Sequence, residues 1–182
     1  DTGPGNALLD YWTQRHLGQP YDAQGAWAAG GAVRADLLAQ FLADPYFSRA
    51  APKSTGRDDF HPAWLERHLS AHAAQASPQD VQATLAALTA HSVAEALRRA
   101  MPGVCELVIC GGGARNTDLL RRLQQALPGV TCRPSDHSGI PAEQVEAAAF
   151  AWLAQQTLLG LPGNLPAVTG AAGPRVLGAV YP

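Results

Sequence analysis

The strongest constraint on this chain is a long helix that leads into an apolar β-rich run, a glycine triplet and another helix. Ser77 is placed to cap the long helix, with Pro78 at its first position and Asp80 at its third, a variant of the capping box. Val81, Leu85, Leu88, Val93 and Leu97 keep an apolar stripe along it until Met101-Pro102-Gly103. Val104 to Cys110 then reads as a buried strand, Gly111-Gly112-Gly113 as a turn, and Asn116 or Thr117 as the start of a helix running to about Leu127. Val130 to Arg133 is a second strand candidate. Helices alternating with buried strands predict an α/β fold.

The flanking segments fit that class. Asn6 to Leu17 has helical spacing, with Leu8, Leu9 and Trp12 on one side and Gly18 as the stop. Gln24 to Gly30 and Val33 to Ala43 read as short helices separated by Gly30-Gly31, and His61 to Ala73 as another. The polar, proline-containing stretch 44–60 is long for a plain connection and is expected to be a functional loop. Pro141 opens a helix through Glu146, Phe150 and Trp152 that stops at Gly160. A loop from Leu161 to Pro166 follows, and Val176 to Tyr181 is a final strand candidate. Trp12, Trp27, Trp64 and Trp152 are expected to anchor the core.

Composition removes several classes of function. A net charge of −2 leaves no basic field to hold nucleic acid or an anionic membrane. No apolar run reaches the roughly 18 residues of a membrane span, and no signal peptide is read. Cys105, Cys110 and Cys132 are odd in number and lack CxxC spacing, so free thiols in a reducing compartment are expected. The absence of a starting Met suggests one lobe of a longer protein.

Two glycine segments carry the candidate chemistry. In Asp1-Thr2-Gly3-Pro4-Gly5-Asn6, with Asp10 a turn later, a carboxylate precedes two turn-forming glycines and a helix start, where exposed amides attract phosphate. Leu107 to Asn116 is a strand, a glycine turn and a helix start, suited to a flat or anionic ligand lying on bare backbone. As a dinucleotide fingerprint it is imperfect, because Asn116 stands where the third glycine belongs; Asp136 keeps a Rossmann reading open. Ala50 to Thr55 only superficially resembles a Walker A ending, since Phe47 and Pro52 occupy the positions that need glycine. Lys53 and Arg57 are left as candidates for an anionic ligand. His68 and His72 have metal-compatible spacing but no third ligand and no HExxH glutamate, so no metal site is assigned. Glu146, on an alanine-rich face, is either a helix-edge charge or a group aimed into a cleft.

Taken in order, several strings resemble the bacterial anhydro-N-acetylmuramic acid kinases. They are Asp1-Thr-Gly-Pro-Gly-Asn6 with Asp10, Asp44-Pro-Tyr-Phe47, Pro52-Lys-Ser-Thr-Gly-Arg57, Trp64-Leu-Glu-Arg67 and Asp80-Val-Gln-Ala-Thr-Leu85. Cys110-Gly-Gly-Gly-Ala-Arg-Asn116, Glu146 in its Ala-Phe-Ala-Trp helix, and Leu161 through Gly170 complete the series, so the resemblance spans nearly all of residues 1–182. It implies the C-terminal lobe of a two-lobe sugar kinase with an actin-like ATPase (ribonuclease H-like) fold, a mixed sheet with flanking helices. The N-terminal lobe, with its own phosphate loop, would be absent.

The resemblance further implies a cytoplasmic enzyme of peptidoglycan recycling, a homodimer using ATP and Mg2+. It would convert 1,6-anhydro-N-acetylmuramic acid, ATP and water to N-acetylmuramic acid 6-phosphate and ADP. Asp1 matches the catalytic base, and Glu146 would face the cleft, supporting sugar or water positioning. Gly3, Gly5 and Asn6 would approach the phosphates, and Gly111, Gly112, Gly113 and Asn116 the adenosine side. Lys53, Ser54 and Arg57 fall in a family-like loop whose ligand is unassigned. A lobe alone would lack half of the ATP site and be inactive. The other readings are a non-catalytic nucleotide-binding or interaction module and a Rossmann-type oxidoreductase.

Overall fold

The computed structural model describes residues 1–72 and 76–181, apart from the side chains of residues 71 and 72. In chain order the helices are α1 (Ala7–Leu17), α2 (Ala26–Ala29), α3 (Ala35–Leu42), α4 (Pro45–Ser48), α5 (Pro62–His72) and α6 (Pro78–Ala100). Strand β1 (Glu106–Ile109), helix α7 (Thr117–Ala126), strand β2 (Thr131–Pro134), helix α8 (Val145–Leu158) and helix α9 (Pro166–Thr169) follow. The fold is mixed α/β and mostly helical, with a small sheet in which β1 and β2 run parallel, Glu106 opposite Thr131 and Ile109 opposite Pro134.

Local chemistry set the helix ends where the sequence predicts them. Ser77 accepts a hydrogen bond from the Asp80 amide, with Pro78 opening α6. Asn116 does the same for α7, accepting from the Leu119 amide at 2.9 Å. Gly18 ends α1 in the left-handed conformation. Inside the 44–60 stretch, Asp44 caps α4 through the Tyr46 amide and accepts the Trp64 indole N–H, so this connection is partly helical and tied to α5.

Helix α6 is the axis of the molecule. Residues 81–90 are all buried, so its first half is enclosed on every side and the expected single stripe widens to the whole circumference. Helices α1, α2, α3 and α7 pack around it. The main core joins Leu8, Leu9 and Trp12 to Phe41, Phe60, Trp64, Leu85 and Leu88. A smaller cluster beneath the sheet joins Ala90 of α6 with Leu119 and Leu123 of α7, and Leu107 and Ile109 of β1 pack against it.

Three expectations fail, each for want of a partner. Strand β1 is half exposed: Leu107 and Ile109 face α6 and α7, whereas Glu106 and Val108 lie open. Val176 to Tyr181 forms no strand. Trp152 is half exposed on α8, while Trp12 and Trp64 are buried as anchors and Trp27 packs at the core margin. Helix α8 buries no residue, although Phe150, Trp152 and Leu158 are on it. No helix among the described residues is long and apolar enough to cross a membrane.

Candidate functional site

The structure brings two distant segments of the sequence together at Asp1. One Asp1 carboxylate oxygen, Oδ2, accepts hydrogen bonds from the Ser54 hydroxyl at 3.0 Å and from the Thr55 amide at 3.0 Å. The Asp1 main chain is held as well: its nitrogen donates to the Lys53 carbonyl at 2.8 Å, and its carbonyl accepts the Tyr46 hydroxyl at 2.7 Å. The other carboxylate oxygen accepts no hydrogen bond among the described residues.

Lys53 is the brace of this loop. Its ammonium donates to the carbonyls of Tyr46 at 3.0 Å and Phe47 at 3.3 Å, and stands 4.4 Å from the Tyr46 ring centroid. Burial, then the charges of Arg99 and Arg49, lower its pKa from the ordinary lysine value. Its ammonium is therefore engaged with carbonyls of its own loop, which gives it a structural task there. Arg57 makes no hydrogen bond or ion pair among the described residues, and its charge acts on Asp10. Burial raises the Asp10 pKa above the ordinary carboxylate value, and Arg57 opposes that rise. Burial also raises the Tyr46 phenol, with Asp59 adding to it and Arg49 opposing.

The two glycine turns converge on Asn6. A side-chain carbon placed on Gly113 would lie 3.7 Å from the Asn6 amide nitrogen. The Asn6 side chain caps nothing on α1 and makes no hydrogen bond among the described residues, so its amide is uncommitted. Gly111 has φ +69°, a conformation that favours glycine, and the space over it and over Gly112 is open. Gly5 adds a bare turn, its carbonyl accepting the Thr89 hydroxyl at 2.8 Å. Gly3 is required for packing: a side-chain carbon there would meet Ser92 Oγ of α6 at 2.9 Å and Phe47 at 3.1 Å. Asn116 spends its side-chain oxygen on the α7 cap.

Glu146 is less closely tied. It is exposed in the first turn of α8 and makes no hydrogen bond or ion pair among the described residues. The segment just before it is clamped to the second glycine turn, because the Gly111 amide donates to Ala142 O at 2.8 Å and Arg115 pairs with Glu143. No bond joins Glu146 to Asp1. Asp136 accepts the Ala142 amide at 3.3 Å, a structural use in place of a ribose contact. The His68 ring sits 4.5 Å from Trp64 and 5.4 Å from Phe41, within aromatic packing, and the His72 side chain lies outside the described residues.

Tyr46, Thr55 and Asp59 were not singled out by sequence reasoning, yet they build the site. Thr55 also donates its hydroxyl to Asp59 at 2.8 Å, stapling the loop to itself. The signal that could have found Tyr46 and Thr55 is their presence in the strings Asp44–Phe47 and Pro52–Arg57, which the fold sets against Asp1; Asp59 lies just beyond the second.

This is thus a mixed α/β protein whose first residue is held by a loop beside converging glycine turns. A family model for "Anhydro-N-acetylmuramic acid kinase" matches residues 1–182. A protein of that name from Cupriavidus pinatubonensis is 62% identical over 183 residues, which cover 100% of this chain and 49% of the relative. Proteins of the same name from Chromohalobacter salexigens and Xanthomonas campestris pv. campestris are 57% and 54% identical, again over 100% of this chain and 49% and 48% of their own lengths. The chain belongs to the anhydro-N-acetylmuramic acid kinase family, which sets aside the Rossmann-type oxidoreductase reading. It spans about half the length of the curated relatives it matches.

Proposed function

We propose that this chain is the C-terminal lobe of an ATP-dependent kinase of 1,6-anhydro-N-acetylmuramic acid, with an actin-like fold. The enzyme opens the anhydro ring with water and phosphorylates the 6-oxygen, yielding N-acetylmuramic acid 6-phosphate in cytoplasmic peptidoglycan recycling. The observation that carries the reading is Asp1, fixed through one oxygen and the main chain, with its other oxygen unengaged. A carboxylate so held can take a proton from water as the water attacks the anomeric carbon. Glu146, beyond the clamped Ala142–Gly111 contact, is the second carboxylate, orienting sugar or water.

The open backbone at Gly111 and Gly112, with the uncommitted Asn6 amide near Gly113, fits a nucleotide and its phosphates. ATP would supply the terminal phosphoryl group. Magnesium would come with the phosphates, and no protein ligand is assigned to it. The loop 44–60 acts by positioning Asp1. The other half of the full-length relatives packs as the second lobe, which the exposed apolar side of α8 is suited to meet, and the enzyme is a homodimer.

In the full-length protein, Asp1→Asn is expected to lower turnover at least about a thousandfold while ATP binding persists. This chain alone is expected to give no product. Near-normal turnover by the variant would remove Asp1 from the mechanism, and ATP binding by an unaltered full-length protein that phosphorylates no anhydro sugar would favour the non-catalytic module.

A further inference from the structure

We infer that Ser54, together with the Thr55 amide, is a positioning device for the Asp1 carboxylate; this rests on the reading of Asp1 as the base. Both donors reach the same oxygen at 3.0 Å, leaving Oδ1 as the oxygen available to accept a proton. An exposed aspartate otherwise samples several rotamers, and a base must be held within hydrogen-bond reach of its proton. The loop supplies that fixity because the residues on either side of Ser54 are themselves anchored. Lys53 is pinned to Tyr46 and Phe47, and Thr55 is stapled to Asp59.

The charged groups near Asp1 leave this work to the two donors. The Lys53 ammonium is turned onto the Tyr46 and Phe47 carbonyls, and Asp59 meets the loop through the Thr55 hydroxyl. No ion pair joins Asp1 to a basic side chain among the described residues. Hydrogen bonds to an ionised carboxylate favour its charged form, so removing one moves its titration upward.

The test is steady-state kinetics of the full-length enzyme carrying Ser54→Ala, Ser54→Thr or Asp1→Asn, with kcat followed across pH. Ser54 is exposed, so its removal leaves the core untouched, and thermal unfolding checks this. For Ser54→Ala, kcat should fall about tenfold with KM for sugar and ATP unchanged. The acid limb of its kcat profile should move up by about one pH unit. Ser54→Thr, which keeps the hydroxyl, should restore both. If Asp1→Asn is inactive but Ser54→Ala leaves the acid limb in place, the positioning role is overturned while Asp1 stands as base. Near-normal turnover by Asp1→Asn overturns the base assignment and the positioning role with it.

Discussion

Helices α6 and α8 are both rich in alanine and apolar residues, yet they have opposite fates. Ten consecutive α6 residues, 81–90, are buried, whereas α8 buries none and leaves Phe150 65% exposed. The difference lies in neighbours. Four helices pack around α6, while α8 makes its main contact with the short turn before it. Burial is thus a property of what surrounds a helix and not of its composition alone.

Core truncation should show the contrast at its largest. Phe41→Ala, at the fully buried contact of α3 with α5 and α6, should cost about 4 kcal/mol in denaturant unfolding of this chain. Phe150→Ala should cost no more than about 0.5 kcal/mol there. Equal losses would break the comparison. In the full-length protein the Phe150 loss should rise to about 2 kcal/mol if a second lobe covers α8. Next comes Asp118→Ala in α7, whose buried carboxylate pairs with Arg121 at 2.5 Å and Arg122 at 2.6 Å. Arg122 is itself largely buried, so leaving it unpaired should cost about 3 kcal/mol.

Ser77→Ala should cost about 1 kcal/mol by freeing the first turn of α6, and no comparable cap stands before α8 to lose. The smallest effect is a titration. Asp10 is raised by burial in the folded state and restrained by Arg57, so Arg57→Ala should raise it further in an NMR titration. Because the folded value exceeds the unfolded one, Asp10's contribution is fully present below the unfolded value and is lost as pH rises through the folded value. Asp10→Asn should remove that slope from a stability–pH curve.

Features decided within a few residues were legible in the sequence. Ser77, Asn116 and Gly18 end their helices through bonds to near neighbours, and the strand–glycine–helix order around Gly111 holds because turn chemistry is local. The depth of β1, the exposure of Trp152 and the failure of Val176 to Tyr181 to pair depend on what lies across from them, which no window of sequence contains. At the site, the carboxylate and glycines were visible as residue types. That Thr55 would offer its amide follows from a contact across more than fifty positions, and that Lys53 would turn back onto the Tyr46 and Phe47 carbonyls follows from the path of a loop with no regular period.

The chain's far end reaches the same place. Gly170 closes α9 at φ +73°, and a side-chain carbon there would lie 3.0 Å from the Pro52 ring, next to Lys53. Residue 170 is therefore a back wall for the segment that grips residue 1. A larger side chain at that position would shove the grip from behind, so the Ser54 and Thr55 contacts to Asp1 should respond to a change more than a hundred and fifty residues downstream.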